Sequence, residues 1–117
     1  MRLDDDRTRL RHILDAAREA IGYVQDAEWE QFERNRPLQH SVVRCIEIVG
    51  EASSRLSREL RESNPQIPWK AMIGMRNRIV HAYHDIDIGV VWKTAAEDLP
   101  AVLPSLEIIA DDLMRPQ

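Results

Sequence analysis

Several common protein classes are excluded by what this sequence lacks. One cysteine, Cys45, stands in 117 residues, so an internal disulfide framework or a zinc site built on several cysteines is ruled out. With four glycines and only short β-branched runs, strands have little support. No apolar run approaches the roughly 18 residues of a membrane span, and no signal-peptide core follows Met1. Repeats and low-complexity segments are absent. What remains is a folded composition, 44% hydrophobic and 31% charged, over a length close to one ordinary domain. The expectation is one domain over residues 1–117, soluble, reduced and cytoplasmic, with no membrane association.

Lysine is also scarce, at two (Lys70 and Lys93) against fourteen arginines. Arginine supplies the planar, bidentate donors that suit phosphate and carboxylate, although genomic base composition explains such a bias equally well. The formal net charge is −4, so the chain is no polycation. Its distribution says more. Between Gln66 and His84 there is no acid, while Lys70, Arg76, Arg78, His81 and His84 all fall there. A local basic island can bind phosphate on a protein of negative net charge.

Apolar spacing reads as helix throughout. Asp4 to Asp6 can cap a first helix, whose stripe runs through Leu3, Leu10, Leu14, Ala17, Ile21 and Val24 to about Asp26. A short helical piece, Glu28 to Arg34, ends before Pro37. A long helix from about Leu38 to Glu62 presents Val42, Ile46, Val49, Ser53, Leu56 and Leu60 on one face. Arg44, Glu47, Glu51, Arg55 and Arg58 lie on the other. Gly50, at the edge of the apolar stripe, would let a neighbouring helix approach closely. Ser63 to Pro68 breaks the chain. A third helix begins near Pro68 and reaches about Tyr83. Asp85 or Asp87 caps the last, whose apolar seam runs from Trp92 to Leu113 and whose Pro100 and Pro104 imply a kink or restart. The fold expected is an all-α, dimerising bundle of four to five helices.

The third helix carries the chemistry. With Met72 at zero on a helical wheel, Arg76 falls at about 40°, inside the apolar face, and His81 at about 180°. An arginine on an apolar face needs a carboxylate, a phosphate or a wet cleft, because burying an unpaired guanidinium is costly. Glu47 or Glu51 of the second long helix could supply that carboxylate. Metal ligation by His81 and His84 has weak support, since histidines three apart without a nearby carboxylate motif are common. A histidine beside a phosphate-binding arginine is minimal equipment for metal-free RNA cleavage. The imidazole moves a proton, and the guanidinium stabilises charge on the phosphorane. One such pair supplies one proton-transfer group; a symmetric dimer supplies two.

The segment "IPWKAMIGMRNRIVHAYHDID", Ile67 to Asp87, resembles the HepT-like branch of the HEPN superfamily. Arg76 to His81 reads as that family's R-x4-H, with Asn77 as the polar residue after the arginine, and Tyr83 completes R-x4-H-x-Y. A second block, Val42 to Ser57, resembles the family's R-x2-E-x2-G-E-A through Arg44, Glu47, Gly50 and Glu51. The resemblance implies the toxin of a toxin–antitoxin pair: a homodimeric, metal-independent endoribonuclease needing no cofactor. It also implies a nucleotidyltransferase (MntA-like) antitoxin that transfers AMP onto Tyr83. Arg76 and His81 would be catalytic, Asn77 and Glu47 supporting, and Arg78, Lys70 and His84 RNA-binding.

On an ideal helix Arg76 and His81 stand about 140° apart. A distorted helix end, the reach of the arginine, or a second subunit would have to bring them to one phosphate. That angle and the acidic net charge keep open a non-catalytic module that binds a nucleotidyltransferase, and equally a plain bundle in which Arg76 pairs with Glu47 or Glu51. Trp69 and Trp92 read as core anchors, Trp29 as a lid or dimer contact, and Tyr23 as partly buried with a wet hydroxyl. Cys45 reads as a buried, inert thiol. Ser53 and Ser54 have no base at a suggestive spacing.

Overall fold

The computed structural model describes residues 2–79 and 85–115, with side chains from Asp5 onward. Among these residues there is no strand. The helices are α1 (Arg2–Gln25), α2 (Trp29–Glu33), α3 (Arg36–Ser54), α4 (Arg58–Ser63), α5 (Trp69–Ile73), α6 (Met75–Ile79), α7 (Ile88–Lys93) and α8 (Leu99–Met114), with a π-helical turn, Thr94–Asp98, joining the last two. The all-α expectation is met.

Two long helices, α1 and α3, pack against each other, and α8 closes on α1. The α1 stripe is buried as spaced: Leu10, Leu14, Ala17 and Val24 are in the core, joined by Ile13, Ala16 and Ala20. Arg7 donates from Nε to the Leu113 carbonyl at 2.7 Å and Arg18 pairs with Glu107 at 2.9 Å, fastening α1 to α8. From α3, Val42, Ile46, Val49 and Ser53 face inward. Gly50 does what its position implied: a Cβ there would meet the Ile73 carbonyl oxygen at 3.3 Å and that of Met72 at 3.4 Å. The backbone of α5 therefore lies directly on α3.

Asp6 departs from the expected capping role. It does not serve the start of α1 but lies buried, accepting from the Ser57 N–H at 2.8 Å and the Ser57 Oγ–H at 2.7 Å. Ser57 in turn caps α4 by accepting from Leu60 N. This junction breaks the expected helix from Leu38 to Glu62 at Arg55–Ser57. Periodicity cannot show that break, because the carboxylate that secures it is 51 residues away in sequence. Leu56, inside the break, remains buried.

The third expected helix is also divided. Gly74 ends α5 with φ −83° and ψ −1°, and α6 restarts at Met75, so a wheel begun at Met72 loses its phase. At the other proline-rich stretch the expected interruption is present. Asp87 caps α7 by accepting from Val90 N. The chain then widens into the π turn, where Leu99 N–H donates to the Thr94 carbonyl and Lys93 pairs with Asp98 at 3.0 Å. A π turn brings residues five apart into register, which is the spacing of that pair. Pro100 lies in the first turn of α8, where a missing N–H costs nothing. Pro104 stays inside a continuous α8.

Trp29 is placed within the fold and not as a lid. Its ring centroid is 6.1 Å from that of Phe32 and 5.9 Å from that of Trp92. Phe32, fully buried, is the centre of this cluster. Buried Gln39 fixes α2 by donating Nε2 to the carbonyls of Phe32 and Glu33. Trp69 is buried as expected, and its indole N–H donates to the Asn64 carbonyl at 3.0 Å.

Candidate active-site cleft

The polar face of α3 is the floor of the site. Arg44, Glu47, Ile48, Glu51 and Arg55 recur at three- and four-residue steps, so their side chains rise from one side of the helix. Helix α1 contributes Arg9 and His12, one turn apart. Helix α6, held against α3 where Gly50 admits α5, contributes Arg76. Together these side chains line an open cleft of about 360 Å³.

Arg76 is anchored there by Glu47, with Nε donating to Oε2 at 3.0 Å. The partner is Glu47 and not Glu51, which is held by Arg55 at 2.8 Å on α3 itself. The wheel placed Arg76 on an apolar face. In the structure its side chain is 55% exposed; the break at Gly74 takes it off the helix that carries Met72, so the phase the wheel assigned it relative to Met72 does not hold. The guanidinium is thus part of a partly solvated ion pair at the cleft. Four arginines against two glutamates leave the lining with an excess of two positive charges, His12 taken as neutral, on a chain whose net charge is −4. Among the described residues no group of three or more His, Cys, Asp or Glu is placed to hold a metal ion. No described helix is long and apolar enough to cross a membrane.

Other residues of the basic island separate. Asn77 is exposed on α6 next to Arg76, and Lys70 is exposed on α5. Arg78 donates to the Ala71 carbonyl at 3.3 Å and faces a different groove, shared with Lys93, Asp98 and Val102. The structure therefore brings Arg76 and Glu47 together and points Arg78 elsewhere. His81, Tyr83 and His84 lie outside the described residues. Sequence reasoning missed Arg9, His12 and Arg55 as cleft residues. For Arg55 the signal was present, in the charged stripe on α3. For Arg9 and His12 it was not, since only the packing of α1 on α3 brings them in.

Cys45 is buried as expected, whereas Tyr23, expected to be partly buried, is exposed. Burial pushes the Cys45 thiol up to about 11, as expected of an inert buried cysteine. The exposed Tyr23 hydroxyl donates to Glu19 Oε1 at 2.9 Å, and that bond followed by the glutamate charge raises its pKa above the ordinary tyrosine value.

The structure thus defines a small helical protein with an arginine-lined cleft suited to an anion. The chain belongs to the family described as Ribonuclease HepT-like, of the HEPN superfamily, whose model matches residues 13–109. It is similar to Putative RNase MJ1380 of Methanocaldococcus jannaschii, 36% identical over 105 residues that cover 90% of this chain and 96% of that one. Probable ribonuclease HepT of Thermococcus cleftensis is 35% identical over 85 residues, 73% of this chain and 77% of that protein. No solved structure matches the chain significantly.

Proposed function

We propose that this chain, as one HepT-like domain over residues 1–117, is a metal-independent endoribonuclease acting in the cytoplasm. The observation that carries the reading is Arg76, held by Glu47 at the edge of a cleft with excess positive charge, five residues before His81 in an R-x4-H-x-Y motif. Arg76 contacts the scissile phosphate and stabilises the charge that builds on it. His81 transfers the proton, as general acid or base. Asn77 orients the site, and Lys70, Arg78 and His84 contact the RNA outside it. The 2′-hydroxyl oxygen attacks phosphorus and loses its proton, the bond to the 5′-oxygen breaks, and that oxygen leaves protonated. The products are a 2′,3′-cyclic phosphate and a 5′-hydroxyl. Membership of the HepT-like family supports RNA as the substrate.

The finer reading is a toxin of a toxin–antitoxin pair, active as a homodimer that supplies two histidines to one strand. A nucleotidyltransferase antitoxin silences it by adenylylating Tyr83. The tyrosine oxygen attacks the α-phosphorus of ATP, pyrophosphate leaves, and the phenolic proton is lost. A bulky anion two residues from His81 would then repel and block RNA. The chemistry is tested with an RNA carrying a 2′-deoxy sugar at the cleaved step. The expected result is loss of cleavage at that step; continued cleavage there overturns attack by the 2′-hydroxyl.

A further inference from the structure

The cleft holds more positive charge than the Arg76–Glu47 pair uses. Both carboxylates of its floor are engaged, Glu47 by Arg76 and Glu51 by Arg55. Arg9, His12 and Arg44 line the same cleft. Among the described residues, none of these three side chains has an ion-pair or hydrogen-bond partner. Arg9, His12 and Arg44, from two different helices, therefore line one concave surface together with carboxylates that are already paired. Uncompensated guanidinium groups facing a cleft favour an anion that accepts several hydrogen bonds, and a phosphodiester does so.

We propose that Arg9 and Arg44, with His12 as a further hydrogen-bond donor, bind a second phosphodiester of the RNA strand, adjacent to the one engaged by Arg76. This rests on the ribonuclease reading and extends it from a single arginine to a short backbone track. Arg9 and His12 are one turn apart on α1, and Arg44 stands across the cleft on α3. The strand is therefore gripped from two helices and its register against Arg76 is fixed. Contacts of this kind position a nucleic acid without reading its bases. The subsite accordingly sets affinity and placement, with no preference for sequence.

The test uses a fluorescent single-stranded RNA that is 2′-O-methylated throughout, so that it binds without being cleaved. Its affinity is measured from 50 to 200 mM salt for the wild type, Arg9→Gln, Arg44→Gln and the Arg9→Gln/Arg44→Gln pair. Arg18→Gln serves as the control, because that arginine is paired with Glu107 outside the cleft. Each phosphate contact contributes a slope of about 0.7 in log affinity against log salt. Each cleft variant should lower the slope by about that amount and weaken binding roughly tenfold at 50 mM salt, with Arg18→Gln at wild-type values. Folded cleft variants with wild-type affinity and slope would overturn the subsite alone, leaving the ribonuclease reading intact if the wild type still binds and cleaves RNA. A wild type that neither binds the methylated RNA nor cleaves the unmodified one would overturn both.

Discussion

Replacing Glu47 by glutamine isolates the one contact on which the candidate site depends. The Arg76–Glu47 pair spans 3.0 Å, with side chains 55% and 33% exposed. An ion pair this solvated contributes about 0.2–1 kcal/mol to stability. For a chain of this length, the substitution should lower the melting temperature by no more than about 4 °C. Its effect on cleavage should be far larger. Glutamine keeps an acceptor but loses the charge that fixes the guanidinium, and a misplacement of about 1 Å at a reacting group costs about 10²-fold in rate. The substitution also removes a negative charge from the cleft, so RNA affinity should hold or rise while kcat falls roughly 10- to 100-fold. That split distinguishes positioning from a structural role, which would lower kcat only through loss of folded protein. Single-turnover cleavage with denaturation curves on the same samples supplies both quantities. In an Arg76→Ala background, Glu47→Gln should have no further effect on rate. Wild-type turnover by a folded Glu47→Gln variant, or unfolding with no change in rate per folded molecule, would refute the reasoning.

Further predictions concern the fold that carries the site. Asp6→Ala strands the Ser57 N–H and hydroxyl and should cost about 2–3 kcal/mol, seen as a lowered urea midpoint; an unchanged midpoint would show that the α3–α4 junction does not depend on Asp6. Gly50→Ala gains about 1 kcal/mol of helix propensity, but crowds two backbone carbonyls of α5 at a cost of about 1–3 kcal/mol. Its expected net is a loss of roughly 1 kcal/mol, with slower cleavage as α5 and α6 shift, and a stabilised, fully active variant would contradict the close approach. Cys45, at about 11 when folded, should resist iodoacetamide at pH 8 in the native protein and react after denaturation. Because its thiol ionises in the unfolded chain first, its stabilising contribution is complete at neutral pH. That contribution declines as pH rises from the ordinary thiol range towards 11, a decline that Cys45→Ala should abolish in alkaline denaturation curves.

How much could be read from the sequence follows from which forces are local. Helix α1, the inward face of α3 and a cap at Asp85 or Asp87 were legible because burial at a 3.6-residue period and side-chain capping leave a local trace; the structure selects Asp87. The close approach at Gly50 was legible because a missing side chain on an apolar stripe has few other uses. The Arg76–Glu47 pair was narrowed to two carboxylates by charge and spacing. The breaks at Arg55–Ser57 and at Gly74 were not legible. Asp6 secures the first from another helix, and Gly74 stands where a helix could equally have continued. The cleft itself is a tertiary product, since Arg9 and His12 join Arg44 and Arg76 only through the packing of α1 and α6 on α3. The wheel that placed Arg76 on the face of Met72 assumed a continuous helix from Pro68 onward, and the break at Gly74 removes that assumption.

The most direct test of the account is cleavage of labelled RNA by the purified protein, shown by intact mass to be unmodified, in excess EDTA. Arg76→Ala and His81→Ala are assayed beside it, both confirmed folded by circular dichroism. The account predicts cleavage by the wild type that leaves a 2′,3′-cyclic phosphate, with both variants reduced by at least about 100-fold. No cleavage by the unmodified wild type, or cleavage at the wild-type rate by either variant, would contradict it.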